Sequence, residues 1–324
     1  MRKYILNVLK NEKGRYVSGE EISKELGISR TAVWKHINSL KEEGYEIDSR
    51  SRAGYMLLNV PDLLLPFEIS EGLETKTIGR EIYHLYETNS TNDEAKSLAA
   101  NGGIEGTLVV AERQVKGKGR LGRLWISPQG GIWISIILRP EFQPFEAPKL
   151  TLAAALAVTR VLRDKTNLEA QIKWPNDIFI NSKKVCGILT EMNAELDRIQ
   201  YVVLGIGLNV NIDLKKFSEE IGESATSLIK ELGRPVDRVK LLKSILTEIE
   251  EVYYFFLKKG FPPLCQEVKD LSYTLGRWVH LRQGDKVISG EAIDINEDGA
   301  LILRTKERQV ITVVSGDVGE GRRN

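Results

Sequence analysis

Apolar positions along the chain follow two periods, and the switches between them mark out its organisation. Tyr4, Ile5, Val8 and Leu9 fall on one side of a helix. A second helix is predicted from Gly19 to Leu26, with Ser18 and Glu21 spaced as a capping box and Gly27 as its stop. Ile28 and Ser29 turn into a third helix, Arg30 to Leu40, whose Val33, Ile37 and Leu40 face inward. Tyr45 to Leu58 then alternates as two short strands around a turn with Arg50 and Arg52. Pro61 and Pro66 flank Asp62 and three leucines, which read as a linker.

Beyond the linker, strands and helices alternate. Glu81 to Glu87 and Thr107 to Gln114 read as strands, with Asn92 to Ala100 a helix between them. Trp125 to Leu138 is a β-branched run interrupted by Pro-Gln-Gly-Gly. Ala147 to Lys165 is an Ala- and Leu-rich helix of the buried kind, and Asp237 to Lys259 is an amphipathic one. Gln171 to Ile180 and Lys184 to Glu191 form a hairpin about Asn181 and Ser182, followed by the strand Tyr201 to Val210. Four short strands then run from Arg277 to Val314, joined by polar turns. We expect an α+β multidomain protein. Residues 1–62 form a helix-turn-helix unit, 67–270 a mixed, mostly antiparallel sheet covered by helices, and 271–324 a small barrel whose last residues fray.

Composition changes this picture little. The 324 residues carry 46 Lys and Arg against 45 Asp and Glu, so any nucleic-acid binding must come from a local patch. Such a patch exists: residues 1–60 hold eleven basic against eight acidic side chains, and the third helix meets no acid before Glu42. Ser29, Arg30, Thr31, Lys35 and His36, with Arg50 and Arg52 on the hairpin, are the expected DNA contacts. Cys186 and Cys265 show no pairing pattern, and no apolar run is long enough to span a membrane, so a cytoplasmic setting is expected. The three histidines have no metal-ligand spacing.

The candidate chemistry centres on Gln114 to Trp125, where Lys116, Lys118, Arg120 and Arg123 interleave with Gly117, Gly119 and Gly122. Crowded cations on a glycine backbone suit a loop that closes over an anion. The glycines satisfy G-x-G-x-x-G, but a strand follows where a dinucleotide fingerprint needs a helix. Three polar clusters interrupt the apolar strands: Thr88 to Asn92, Lys173-Trp-Pro-Asn-Asp177, and Gly205-x-Gly207-x-Asn209. Pro175 places the second at a bulge or an edge, and nothing about folding calls for its composition. The third thins a strand to bare backbone against which a ligand could lie flat.

The basic glycine loop with Trp125, then Lys-Trp-Pro-Asn-Asp, then Lys184-x-x-Gly187-Ile-Leu, then Gly-x-Gly-x-Asn resemble, in that order, the biotin-protein ligases. With the N-terminal winged helix-turn-helix the resemblance is to the bifunctional ligase and biotin operon repressor type, and it covers essentially the whole chain. It implies a class II synthetase-like catalytic domain and an SH3-like C-terminal barrel. It implies biotin and ATP as substrates, Mg²⁺ accompanying the nucleotide, and biotinyl-5'-AMP as intermediate and corepressor. A biotin carboxyl carrier protein of acetyl-CoA carboxylase would be the acceptor, operator DNA a partner, and the adenylate-bound form a homodimer, with no membrane involved.

By the same resemblance Ser90, Thr91, Asn92, Gln114, Gly117, Lys118, Arg120, Lys184 and Gly187 would hold biotin. Arg120, Arg123, Trp125, Asn176, Lys184 and Asn209 would hold the nucleotide. Arg120, Lys118, Lys184 and Asp177 are the expected catalytic groups. Asp177 could orient or deprotonate the incoming lysine amine, or simply pair with Lys173. Two other readings share many of these features: a lipoate-type ligase, and a ligand-sensing repressor without ligase activity. Lys118 and Leu121 stand where the loop is usually arginine, which removes bidentate phosphate contacts.

Overall fold

The computed structural model describes residues 1–195, 198–214, 224–284 and 286–320. The chain divides into two compact units, Met1–Leu63 and Leu64–Asn324.

In the first unit, α1 (Arg2–Asn11) buries Ile5, Leu6 and Leu9. Tyr4, expected inward, is half exposed. Helices α2 (Gly19–Leu26) and α3 (Arg30–Glu42) follow, capped by Ser18 and Ser29. Ser18 accepts from the Glu20 amide at 3.2 Å, so the reciprocal cap expected with Glu21 is replaced by a shorter local bond. Ser29 accepts from the Ala32 amide at 3.2 Å. Strands β1 (Glu46–Arg50) and β2 (Gly54–Asn59) form an antiparallel hairpin with Arg52 left-handed at its turn. Gly54 is obligatory, since φ is +110° and a Cβ there would meet the Val17 carbonyl oxygen at 2.0 Å.

The second unit is built on a seven-stranded sheet of order β3-β4-β5-β9-β8-β7-β6. Its strands are β3 (Ile82–Thr88), β4 (Leu108–Gln114), β5 (Ile132–Leu138), β6 (Gln171–Lys173), β7 (Asp177–Ile180), β8 (Lys183–Glu195) and β9 (Arg198–Leu208). Only β3 and β4 pair in parallel. Period-two alternation sorts the side chains between faces. Val110, Ile134, Ile136, Val202, Leu204 and Ile206 join the main core, whereas Val109, Ile137, Tyr201 and Val203 pack with Ala95 and Ala99 of α5 (Thr91–Ala100). Helix α6 (Ala147–Thr166) supplies fourteen buried residues, mostly to the main core.

Gln171 to Ile180, expected as one strand, is two. A turn with a cis Trp174–Pro175 peptide separates β6 from β7, and β6 is the sheet edge that proline tolerates. Nor is this segment free of folding duties. The Trp174 indole is buried and donates to the Gly299 carbonyl at 2.9 Å, while its amide donates to Thr274 Oγ1.

Helices α4 (Pro66–Ser70), α7 (Leu228–Leu232), α8 (Arg238–Lys259) and α9 (Pro262–Asp270) complete the α-helical set among the described residues. Of these only α8 stood out as periodic; α4 and α7 are five residues each, too short to show a stripe. The C-terminal strands β10 (Trp278–Gln283), β11 (Lys286–Ile295), β12 (Leu301–Arg304), β13 (Val310–Val313) and β14 (Asp317–Glu320) form an antiparallel sheet of order β13-β12-β11-β10-β14. Val279, Leu281, Leu301 and Val318 share one core with α6 and α8. Gly319, expected frayed, lies in β14 paired with His280, and residues 321–324 lie outside the described ones.

Candidate active site

Strand register assembles the site. Lys173 pairs with Asp177, Asp177 with Gly187, Gly187 with Gly207, and Gly207 with Trp133. These residues form one row across the sheet. The neighbouring row places Leu189 beside Gly205 and Gly205 beside Ser135. Above these rows lies a cavity of about 390 Å³. Of the expected ligand-binding residues, all but Gly117 line it. Gly117 is buried just outside: its carbonyl accepts from the Trp125 amide at 2.8 Å, and a Cβ would meet the Trp125 oxygen at 2.4 Å.

The strand glycines have a different tenant from the one expected. The Asn92 amide occupies the space a Cβ on Gly205 would need, with Oδ1 at 2.1 Å. The Trp125 indole lies against Gly207 and Gly187, its Nε1 at 2.5 Å from a Cβ on Gly207. The bare backbone therefore seats two of the protein's own side chains, which in turn wall the cavity. Trp125 also meets Trp133 edge to face, and its Nε1 is buried with no hydrogen-bond partner among the described residues.

The first polar cluster is more than a helix cap. Ser90 sits at the N-cap of α5 but its side chain makes no capping bond. Instead Gln114 Oε1 accepts from the Thr91 amide at 2.7 Å, and Gln114 Nε2 donates to Ser127 at 2.8 Å. Ser135 Oγ, fully buried, contacts Thr91 Oγ1 and Asn92 Oδ1 at 2.8 and 2.6 Å. Asn92 Nδ2 donates to Glu191, which also takes Lys96 at 2.8 Å. Ser135 and Glu191 gave no signal in the sequence, because each reads as an ordinary strand position.

Among the described residues, three of the four loop cations have partners. Lys118 Nζ is 2.7 Å from the Asp93 carboxylate. Arg123 pairs with Asp317 at the start of β14. Arg120 is partly buried and donates to Asn176 Oδ1 at 3.1 Å and the Gly316 carbonyl at 3.2 Å. Burial lowers the Arg120 guanidinium pKa, a pull opposed by the charges of Asp177 and Asp317. Asp317 is itself held below the usual carboxylate range: burial would raise it, but the hydrogen bond and charge of Arg123 outweigh that. Lys116 is exposed and does not line the cavity.

Asp177 pairs with Lys184, Nζ to Oδ1 2.7 Å. Lys173 lies over the Phe179 ring at 4.6 Å. Asn176 Nδ2 is committed to the Ile188 carbonyl, and Asn209 Nδ2 to the Thr226 carbonyl. Cys186 is buried beside this site, which pushes its thiol pKa up and leaves it a packing residue. Among the described residues no group of three His, Cys, Asp or Glu could hold a metal ion.

In the N-terminal unit Arg30, Thr31 and Lys35 are exposed on α3 and His36 is half-buried. Ser29 is engaged as the α3 cap. Arg50 lies over the Tyr16 ring and bonds Asp48, which fixes its direction. Arg52 stands at the hairpin turn.

Comparison with known proteins gives these sites a setting. Residues 2–56 match an HTH domain, residues 85–209 the Biotin/lipoate A/B protein ligase family, and residues 274–318 the Biotin protein ligase C terminal domain. The chain is 39% identical over 322 residues to the bifunctional ligase/repressor BirA of Bacillus subtilis, covering 99% of each. It is 30% identical over 295 residues to that of Escherichia coli, covering 90% of this chain and 88% of that one. The biotin protein ligase from Aquifex aeolicus in complex with biotin and ATP superposes with a TM-score of 0.66 at 32% identity, over 75% of this chain and 99% of that one. From its N-terminal helix-turn-helix through its C-terminal sheet, this chain belongs to the biotin protein ligase family, in the bifunctional ligase/repressor branch.

Proposed function

We propose that this protein joins biotin and ATP into biotinyl-5'-AMP, transfers the biotinyl group to a lysine of a biotin carboxyl carrier protein of acetyl-CoA carboxylase, and represses a biotin operon in the cytoplasm. The observation that carries the reading is the single cavity in which neutral polar groups, two paired cation and carboxylate sets and a flat indole converge.

In the first step the biotin carboxylate attacks the α-phosphorus, a P–O bond forms, and the bond to the β-phosphate oxygen breaks as pyrophosphate leaves. Two anions must be brought together, and charge grows on the α-phosphate oxygens. Arg120, Arg123, Lys118 and Lys184 supply fixed positive charge for both. Ser90, Thr91 and Gln114 offer donors and acceptors of the kind a ureido head needs, with Gln114 held in place by Ser127 and Thr91 by Ser135. Asn176 and Asn209 line the same cavity, and Trp125 offers an apolar face to the nucleotide. In the second step the carrier amine attacks the acyl carbon, loses a proton, and AMP departs. Asp177 is the carboxylate in place to receive that proton, with the Lys184 ammonium directly beside it.

The N-terminal hairpin serves as the wing of a winged helix, with α3 as its recognition helix. The C-terminal sheet is read as an SH3-like barrel that presents Asp317 and Gly316 to the loop. Adenylate binding favours a homodimer, and two N-terminal units then address a palindromic operator.

The test is incubation with biotin, MgATP and a carboxyl carrier domain, followed by mass spectrometry, with Arg120→Gly alongside. One biotinyl group on one carrier lysine is the expected result, with promiscuous labelling by the variant. Exchange of pyrophosphate supported by lipoate and not by biotin would overturn the substrate. An unmodified carrier together with biotin-dependent DNA binding would leave only a sensor.

A further inference from the structure

Trp34 is 54% exposed on α3, a position that its bulk and apolar surface do not favour. At 3.6 residues per turn it falls among Arg30, Thr31, Lys35 and Lys41, all exposed, along the flank of the stripe made by the buried Val33, Ile37 and Leu40. That face carries positive charge and no acid before Glu42. Trp34 is also in the second turn of the helix, within the N-terminal stretch that a recognition helix directs at base edges. An isolated exposed aromatic would be unremarkable; one ringed by cations and hydroxyls on this helix matches a groove that is anionic at its rims and apolar at one kind of base.

We propose that Trp34 is a specificity-determining residue for the operator, its indole packing on thymine 5-methyl groups in the major groove while Arg30 and Lys35 engage phosphates. This rests on the repressor reading above. The thymine methyl is the one apolar projection in that groove, and apolar side chains read it by contact. The occupant is double-stranded DNA because charge complementarity favours it, whereas a second copy of the chain would bring this basic face against its like.

The experiment begins with the full-length protein, biotin and MgATP, which select a duplex from a random-sequence pool. Fluorescence anisotropy then compares wild type, Trp34→Ala and Trp34→Phe on the selected duplex, on a scrambled duplex, and on the selected duplex with every thymidine replaced by deoxyuridine. Circular dichroism melting confirms that the variants are folded. We expect Trp34→Ala to weaken the selected duplex roughly tenfold or more and the scrambled one hardly at all, with an unchanged salt slope. Removing the methyl groups should cost wild type similarly and Trp34→Ala nothing further, with Trp34→Phe intermediate. Equal losses on selected and scrambled duplexes, or a full deoxyuridine effect persisting in Trp34→Ala, would overturn the proposal. So would loss of self-association in Trp34→Ala without DNA, which would make the face an interface between copies. Failure of wild type to enrich any duplex would remove the repressor reading along with it.

Discussion

Lys184 Nζ stands 2.7 Å from Asp177 Oδ1 and 4.9 Å from the centroid of the Trp125 ring, so one ammonium joins the β7–β8 hairpin to the cation-rich loop. The carboxylate and lysine proposed for the two half-reactions are thus direct partners, and substitution of either should disturb both.

The two roles separate if the half-reactions are measured apart. Asp177→Asn should slow transfer from preformed biotinyl-AMP to the carrier by about 10²- to 10⁴-fold, the usual yield of a general base. Pyrophosphate exchange should fall much less. Equal losses in the two assays would mean that Asp177 acts only by placing Lys184.

Arg123 and Asp317 tie the loop to β14. Arg123 is mostly solvent-facing and Asp317 partly so, which leaves the pair worth little to global stability, and its effect should appear in ligand affinity. Arg123→Ala and Asp317→Asn should each raise the KM for ATP, and the double variant should do little more than Arg123→Ala alone. Additive effects in that double-mutant cycle would show that the two act independently.

Glu112 and Arg238 are fully buried and bonded at 2.9 Å, and the carboxylate also accepts the Leu64 amide at 2.6 Å. Burial alone would raise the Glu112 pKa; the His84 hydrogen bond, the Arg238 charge and the Leu64 amide outweigh it and hold the carboxyl below its ordinary value. Because the folded value is depressed, its stabilisation is complete above the unfolded value of about 4.3 and is lost as pH falls through the folded one. Glu112→Gln should lower stability at neutral pH by about 3–5 kcal/mol, by removing the Glu112 charge from beside the buried Arg238. Denaturation of wild type and variant across pH 3 to 8 should show the gap closing only at the acid end. A gap constant with pH would assign the loss to shape and not to charge.

Gly207→Ala would force the Trp125 indole outward, and Gly205→Ala would displace Asn92. The first should raise the KM for ATP with little change for biotin. The second should do the reverse, since Asn92 belongs with the Thr91 and Ser135 cluster. Steady-state kinetics with each substrate varied in turn would check both, and identical changes in the two variants would refute the division.

Much of this was legible in the sequence because it was local. Helix α3, the Asn181–Ser182 turn and the loop chemistry are written in contiguous residues, and all but one of the expected ligand residues line one cavity. What the sequence hid depends on register between distant strands. Nothing in Gly205 announces the side chain of Asn92, and Trp174 looks like chemistry until its indole is found on Gly299. Asp93 and Asp317, the counter-charges of the loop, come from a helix and from the last strand, far from the cations they answer.

Those counter-charges change what recognition means at this site. An anion approaching the loop finds Lys118 held by Asp93, Arg123 by Asp317, and Lys184 by Asp177. Binding is therefore an exchange reaction in which a phosphate or carboxylate takes over cations that already have anionic neighbours. The gain is a difference between two attractions, so it should respond only weakly to added salt. It also discriminates by valence: a triphosphate can outbid three separate carboxylates at once, where a lone monoanion must displace them one at a time.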